Sequence, residues 1–329
     1  MGFKIKYFSR VKLNGEEYEL SGSKKAGADS VYDLKNINDK KTEYVIKIHT
    51  KEENLERFEN EINYLKSCKS DLIINIVADG IIKYHDPSDE SLDAEYRYFV
   101  MPKMTCSFKE IISSDMDFKK KMKLFLNVCY AVSFIHKNDI IHRDIKPENI
   151  LYDENKNMAK LCDFGIAKFP DLNITENGDR LANANYCAPE QRQKNGNVGP
   201  YSDIYSLGLI LNEIFTKSLI TGTEYKKIVE VCPSFGELDE IVYDMTQTDY
   251  KKREKSIDII IYKIEEYLKR RRRRLSFYKK KNLSIKNTAK EKRIIDMFAE
   301  DSFALDYLAS KEVFLNQLHL KVKTLTRIK

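Results

Sequence analysis

The 329-residue sequence has no tryptophan, and no apolar run in it approaches the roughly 18 residues of a membrane-spanning helix. The N-terminus lacks the apolar core of a secretory signal. Together these absences lead to the expectation of a soluble, cytoplasmic protein with no transmembrane segment. The six cysteines (Cys68, Cys106, Cys129, Cys162, Cys187, Cys232) form no CxxC pair and have no histidine-rich partner. That excludes a zinc-ribbon pattern and a disulfide framework, and it suits reduced thiols. No internal repeat and no Pro/Gly/Ser linker divides the chain.

What is present is a globular composition, 42% hydrophobic and 33% charged, which excludes wholesale disorder. The length leaves room for a large enzyme domain and an appendage. The net charge of +6 is unevenly spread. Residues 269–329 hold 18 Lys and Arg against 6 Asp and Glu, a net +12, whereas the remainder nets −6. A basic tail therefore follows a mildly acidic body.

Hydrophobic spacing predicts strands within 3–8, 18–20, 31–34, 44–48, 72–82 and 96–101. The polar turn Asn36–Lys41 predicts a hairpin between the third and fourth of these. Residues 51–67 change to helical spacing, with Leu55, Phe58, Ile62 and Leu65 on one face. Beyond Pro102 helices are predicted at 119–137, at 204–215, and at 256–268, where the last ends at the basic run.

Within the helical half, His142-Arg143-Asp144-Ile145-Lys146-Pro147-Glu148-Asn149 is followed fourteen residues later by Asp163-Phe164-Gly165. A carboxylate, a lysine and an amide within six residues, then a carboxylate on a glycine turn, can organise phosphoryl transfer. This motif pair resembles the Ser/Thr protein kinases. The resemblance implies an α+β, two-lobed protein kinase fold, with a small β-rich N-lobe holding one main helix and a larger, mainly helical C-lobe. It covers 14–268 as the kinase domain and leaves 269–329 as a basic, helical C-terminal extension.

The resemblance also implies the site, with ATP and Mg²⁺ as cofactors. Asp144 matches the catalytic base, and Lys146 the residue that neutralises charge on the transferring phosphate. Asn149 and Asp163 match the metal ligands, and both offer the hard oxygen that Mg²⁺ takes. In Val45-Ile46-Lys47-Ile48, Lys47 matches the lysine on the nucleotide phosphates, and Glu61 its ion-pair partner. Met101 aligns with the gatekeeper, and Pro102 and Met104 with the hinge at the adenine edge. Val31, Val45 and Leu151 would line the adenine faces, with Val45 standing where the family usually has Ala. His142, Phe164 and Cys162 are read as packing residues.

The glycine loop departs from the family. Between Leu20 and Val31 it has two glycines, Gly22 and Gly27, not three. Two readings stay open there: a phosphate-covering loop, or a solvated hairpin tip made of Lys24, Lys25 and Asp29. Cys187-Ala188-Pro189-Glu190 closes a 28-residue activation segment, and Arg253 resembles the arginine that pairs with its glutamate. Asp203 matches the aspartate that braces the catalytic loop. Asn183 occupies the position of the usual Thr before Tyr186. Arg143 suits a phosphorylated activation loop, for which Thr175 is the only Ser or Thr between Asp163 and Glu190.

The implied partner is a protein substrate with a Ser or Thr acceptor. For the tail three readings stay open: a nucleic-acid or anionic-surface patch at 269–281, a modification site at Ser276, or a solvated linker. Apolar residues from Ile294 to Leu325 predict one or more packed helices. The competing functions are a pseudokinase scaffold and a nucleic-acid-binding regulator acting through that tail.

Overall fold

The computed structural model describes residues 5–284, except 27–28, 52, 166, 168–184, 195 and 221–224, and excepting the side chains of 23–26 and 274–284. Gly27, Thr175, Asn183 and the expected helices beyond 290 lie outside the described residues, as does the side chain of Ser276. The chain divides into two compact units, Met1–Cys187 with Gln191–Asn197, and Ala188–Glu190 with Val198–Lys329.

The first unit opens with Val11–Leu13 (β1), Glu16–Ala26 (β2), Asp29–Asn36 (β3), Tyr44–His49 (β4) and helix Leu55–Ser67 (α1). Ala78–Tyr84 (β5) and Ala94–Pro102 (β6) follow, and the strands form one antiparallel sheet in the order β1-β2-β3-β4-β6-β5. Alternation sets its faces. Tyr32, Leu34, Ile46, Ile48, Ile82 and Val100 join Phe8, Val11 and Leu20 in one buried cluster. Lys47 and His49, at the intervening positions of β4, point the other way. The predicted β3–β4 turn is held by Asn36, whose Oδ1 accepts from the Asn38 and Asp39 N–H groups at 2.8 and 3.3 Å. Such side-chain mimicry of a turn is what Asn supplies.

One predicted strand does not form among the described residues, and another is shorter than expected. Ile5–Tyr7 is a single 3₁₀ turn, closed by the Phe8 N–H on the Ile5 carbonyl at 3.2 Å, and Phe8 only bridges Tyr84. In the 72–82 stretch, the Ile74 N–H donates to the Leu161 carbonyl at 2.9 Å, and the Leu161 N–H to the Leu72 carbonyl at 2.9 Å. The backbone of 72–74 is thus taken by another strand, and β5 begins only at Ala78.

The unit continues with Cys106–Ser107 (β7), Phe108–Ser113 (α2), Phe118–His136 (α3), Ile150–Asp153 (β8) and Met158–Leu161 (β9). β7, β8 and β9 form a second sheet. α3 starts where Asp117 accepts from the Lys119 and Lys120 N–H groups, a side-chain N-cap. Met122, Leu124, Phe125, Val128, Ala131, Val132 and Ile135 on α3 are fully buried. Lys121 is buried beside them, its Nζ donating to the Ile112 and Ser114 carbonyls at 3.0 and 2.7 Å. It satisfies carbonyls that the end of α2 leaves open.

The second unit holds Pro200–Thr216 (α4), Ile228–Val231 (α5), Leu238–Met245 (α6) and Ile257–Ser284 (α7). Helix α4 is buried on nearly every side. Glu190 and Arg253, paired in expectation, meet in this unit. The guanidinium donates to Glu190 Oε1 at 2.7 Å and Oε2 at 3.1 Å, with neither side chain more than 4% exposed. Ser202 Oγ also donates to Glu190 Oε1, and Arg253 reaches the Tyr201 and Gln247 carbonyls. The expected end of the last helix at the basic run is corrected: α7 continues through it to Ser284. Lys and Arg are good helix formers, and Arg271 lies over the Phe235 ring at 3.9 Å while Arg270 faces Glu237 at 3.6 Å.

Candidate active site

β4 brings Lys47 between β3 and β6, opposite Val31 and Phe99. The Lys47 side chain is 6% exposed. Its Nζ donates to Glu61 Oε2 at 2.9 Å and to Asp163 Oδ1 at 3.0 Å. Asp29 Oδ2 makes a third ion pair at 3.2 Å. The rings of Phe58 and Phe99 lie 5.8 and 5.6 Å from the same nitrogen, within range of a cation–π attraction. Glu61 shares its α1 face with Phe58, Ile62 and Leu65, and its second oxygen accepts the Phe164 N–H at 2.9 Å.

The electrostatics follow from burial and charge. Burial works to lower the Lys47 pKa, but Asp163, Glu61 and Asp29 outweigh it and hold the ammonium well above its usual value. Burial pushes the Glu61 carboxyl up to about 6 against the pull of Lys47. For Asp163 burial acts upward too, yet the charge and hydrogen bond of Lys47 keep it below the usual carboxylate range. Asp163 nevertheless reaches solvent, with its side chain 37% exposed. Its φ of +66° is left-handed without being glycine, a backbone cost of the kind that functional turns carry.

A second cluster lies in the loop before β8. Asp144 Oδ2 accepts from Lys146 Nζ at 2.5 Å and from Asn149 Nδ2 at 2.9 Å. Asn149 Nδ2 also reaches the Asp144 carbonyl at 2.9 Å. The two clusters are tied through the Cys162 N–H, which donates to the Asn149 carbonyl at 3.0 Å. His142 is fully buried, with Nδ1 accepting the Asp144 N–H and Nε2 donating to the Cys162 carbonyl at 3.1 Å. The Phe164 ring packs on those of His142 and Tyr64 at 4.7 and 4.8 Å. Burial pushes the Cys162 thiol well up, and its Sγ contacts the Asn149 carbonyl. These three residues pack, as expected.

Of the remaining expected residues that are described, all but Met104, which lies between β6 and β7, occupy strand positions. Met101 and Pro102 end β6, facing Val45 and Tyr44 across the sheet, and all four are half-buried, as are Val31, Met104 and Leu151. Gly22 marks a bulge between β2 and β3 with φ +59°, where an added Cβ would have space but a strained backbone.

Of the two readings left open for the loop, the solvated tip does not fit Asp29. Its side chain is 16% exposed, and its Oδ1 lies 2.7 Å from His49 Nδ1. The β3–β4 register sets Asp29 directly opposite His49, and that cross-strand pairing was invisible before the strand ends were known.

Among the described residues, no group of three or more His, Cys, Asp and Glu is placed to hold a metal alone. Asn149 and the partly exposed Asp163 do fit an ion that keeps water and phosphate oxygens as its other ligands, as Mg²⁺ does. Also among the described residues, no helix is long and apolar enough to cross a membrane.

Comparison with known proteins places this arrangement. The model of the protein kinase domain family matches residues 26–279. Over 143 residues the chain is 36% identical to the serine/threonine-protein kinase PknB of Mycobacterium leprae, covering 42% of this chain and 23% of that protein. It is 32% identical over 158 residues to the serine/threonine-protein kinase ppk16 of Schizosaccharomyces pombe, covering 44% and 23%. A probable serine/threonine-protein kinase, KIN1 homolog, of Encephalitozoon cuniculi is 39% identical over 104 residues, covering 32% and 18%. The chain thus spans about a quarter of the length of the first two of these relatives. With a family match that takes in the Lys47, Asp144 and Asp163 segments alike, the chain belongs to the protein kinase domain family, among relatives that are serine/threonine kinases.

Proposed function

We propose that this chain is a Ser/Thr protein kinase that transfers the ATP γ-phosphoryl group to hydroxyls of protein substrates, with 14–268 as its catalytic domain and 269–329 as an extension. The observation that carries the reading is the pairing of Lys47 with both Glu61 and Asp163 in the same unit as the Asp144–Lys146–Asn149 cluster. When bound, Mg²⁺·ATP supplies the transferable phosphoryl group and the cationic charge that balances it. Lys47 presents its ammonium to the nucleotide phosphates, and Glu61 holds it in place. Asn149 and Asp163 hold the metal. Asp144 accepts or orients the acceptor hydroxyl proton, and Lys146 offsets charge on the group in transfer. Gly22 and Gly27 belong to the phosphate-covering loop. Met101, Pro102 and Met104 border the adenine, and Val31, Val45 and Leu151 line its faces.

The pseudokinase alternative is disfavoured because every one of the five polar residues the chemistry requires is present, and each is hydrogen-bonded. Binding of nucleic acid or an anionic surface through 269–281 has only charge in its favour. A cytoplasmic setting rests on the six free thiols.

The test is incubation of the full chain with radiolabelled ATP and a generic protein acceptor, followed by mass-spectrometric mapping. Label is expected on the acceptor with Mg²⁺ present, and none after chelation. Thr175 and Ser276 are the positions to inspect for autophosphorylation. No label under any condition, with Mg²⁺·ATP binding intact, would move the reading to a scaffold.

The raised Glu61 carboxyl gives a pH prediction of two opposite signs. As pH falls through about 6, Glu61 takes a proton and releases Lys47, so transfer slows. Stability moves the other way. A carboxyl raised in the folded state stabilises the fold most below its unfolded value of 4.5, and that contribution is lost as pH rises through about 6. The span is worth on the order of 2 kcal/mol. Rate and melting temperature against pH, wild type beside Glu61→Gln, would read both. Identical profiles in the two proteins would refute the assignment.

A further inference from the structure

Asp29 is the one carboxylate on Lys47 for which the kinase reading has no use. Glu61 is needed to position the lysine, and Asp163 to hold metal. Asp29 adds a third negative charge 3.2 Å from the same ammonium. It is not there by accident of a loose side chain. Its other oxygen is 2.7 Å from His49 Nδ1, and His49, only 4% exposed, sets its Nε2 3.0 Å from the Glu53 carbonyl. The ring is thus held between the Asp29 carboxylate and a backbone carbonyl. His49 thereby aims Asp29 at Lys47 from the facing strand.

We infer that Asp29 is a specificity-determining residue: it holds an anion's place on Lys47, so that nucleotide phosphates must compete with it for the ammonium, and binding of ATP is weakened relative to the uncharged nucleoside. The inference rests on the reading of Lys47 as the phosphate-binding lysine. Around Lys47 three carboxylates already stand within 3.2 Å of one ammonium, so any incoming phosphate meets excess negative charge at short range. Of the three, Asp29 is the one whose removal leaves both the Glu61 and the Asp163 hydrogen bonds to Lys47 in place. An uncharged nucleoside brings no group that competes for Lys47. Its affinity should therefore be indifferent to Asp29.

Titration calorimetry of the full chain with adenosine and with Mg²⁺·ATP separates these cases. Asp29→Asn keeps the shape and a contact to His49, and Asp29→Ser is the second variant, with melting curves showing which are folded. Either neutral variant should bind Mg²⁺·ATP about tenfold more tightly, with adenosine affinity unchanged. Unchanged or weaker Mg²⁺·ATP binding, or an equal gain for adenosine, would overturn the inference while leaving the kinase reading standing. Failure of the wild-type chain to bind either ligand would overturn the kinase reading and this inference with it.

Discussion

Asp144→Asn is expected to slow phosphoryl transfer by about a thousandfold, within the range that positioned proton acceptors contribute, while nucleotide binding and melting temperature stay near wild type. The substitution keeps the shape and removes the function in two ways. An amide cannot take up the hydroxyl proton. Its NH₂ also cannot accept from donors, yet Asp144 Oδ2 faces two of them, Lys146 Nζ and Asn149 Nδ2. If the amide oxygen takes that place, the NH₂ turns towards the acceptor hydroxyl, where a proton acceptor is required. Single-turnover rates with labelled ATP measure the loss directly. Transfer retained within about tenfold would remove Asp144 from the role of base.

Arg253→Ala should produce the largest stability effect, about 3–5 kcal/mol. Arg253 lies in the second unit, and its loss leaves Glu190 charged, buried and stripped of two of its donors. The Tyr201 and Gln247 carbonyls lose a partner as well, and the Tyr205 ring loses the guanidinium that covers it at 4.8 Å. Denaturant unfolding would measure the loss. Combining Glu190→Gln with Arg253→Met should recover part of it, since the penalty comes largely from the orphaned charge and not from the pair's net worth. A single-variant loss below about 1 kcal/mol, the size of an exposed pair, would show that the pair is solvated in solution.

What could be read from the sequence was what local chemistry dictates. The α3 stripe of Met122, Phe125, Val128, Val132 and Ile135 announced a buried helix, and Asn36 announced a turn, because neither depends on distant partners. The Lys47, Glu61 and Asp163 roles came from resemblance, and their meeting is a contact between positions 116 residues apart that no window of sequence displays. Long-range pairing also explains the errors. Ile73 and Ile74 looked like the start of β5 until Leu161 proved to hold their backbone. For Asp29 the tip reading stayed open because its partner His49 lies across a register that only folding sets. Lys121, the third of three consecutive lysines, gave no sign that it alone turns inward to the end of α2.

The basic run on α7 illustrates how a count of charges differs from a surface. Successive residues on a helix are rotated by about 100°, so the six consecutive cations from Lys269 to Arg274 wind more than once around the axis. Arg271 is turned inward onto Phe235, and Lys269 and Arg270 face Glu266 and Glu237. A flat polyanion laid against this helix would meet a third or so of the circumference, and only the cations that happen to share it. Contiguity in sequence has thus been converted into dispersal in angle. Three of its members, Lys269, Arg270 and Arg271, are already engaged with Glu266, Glu237 and Phe235 of their own unit.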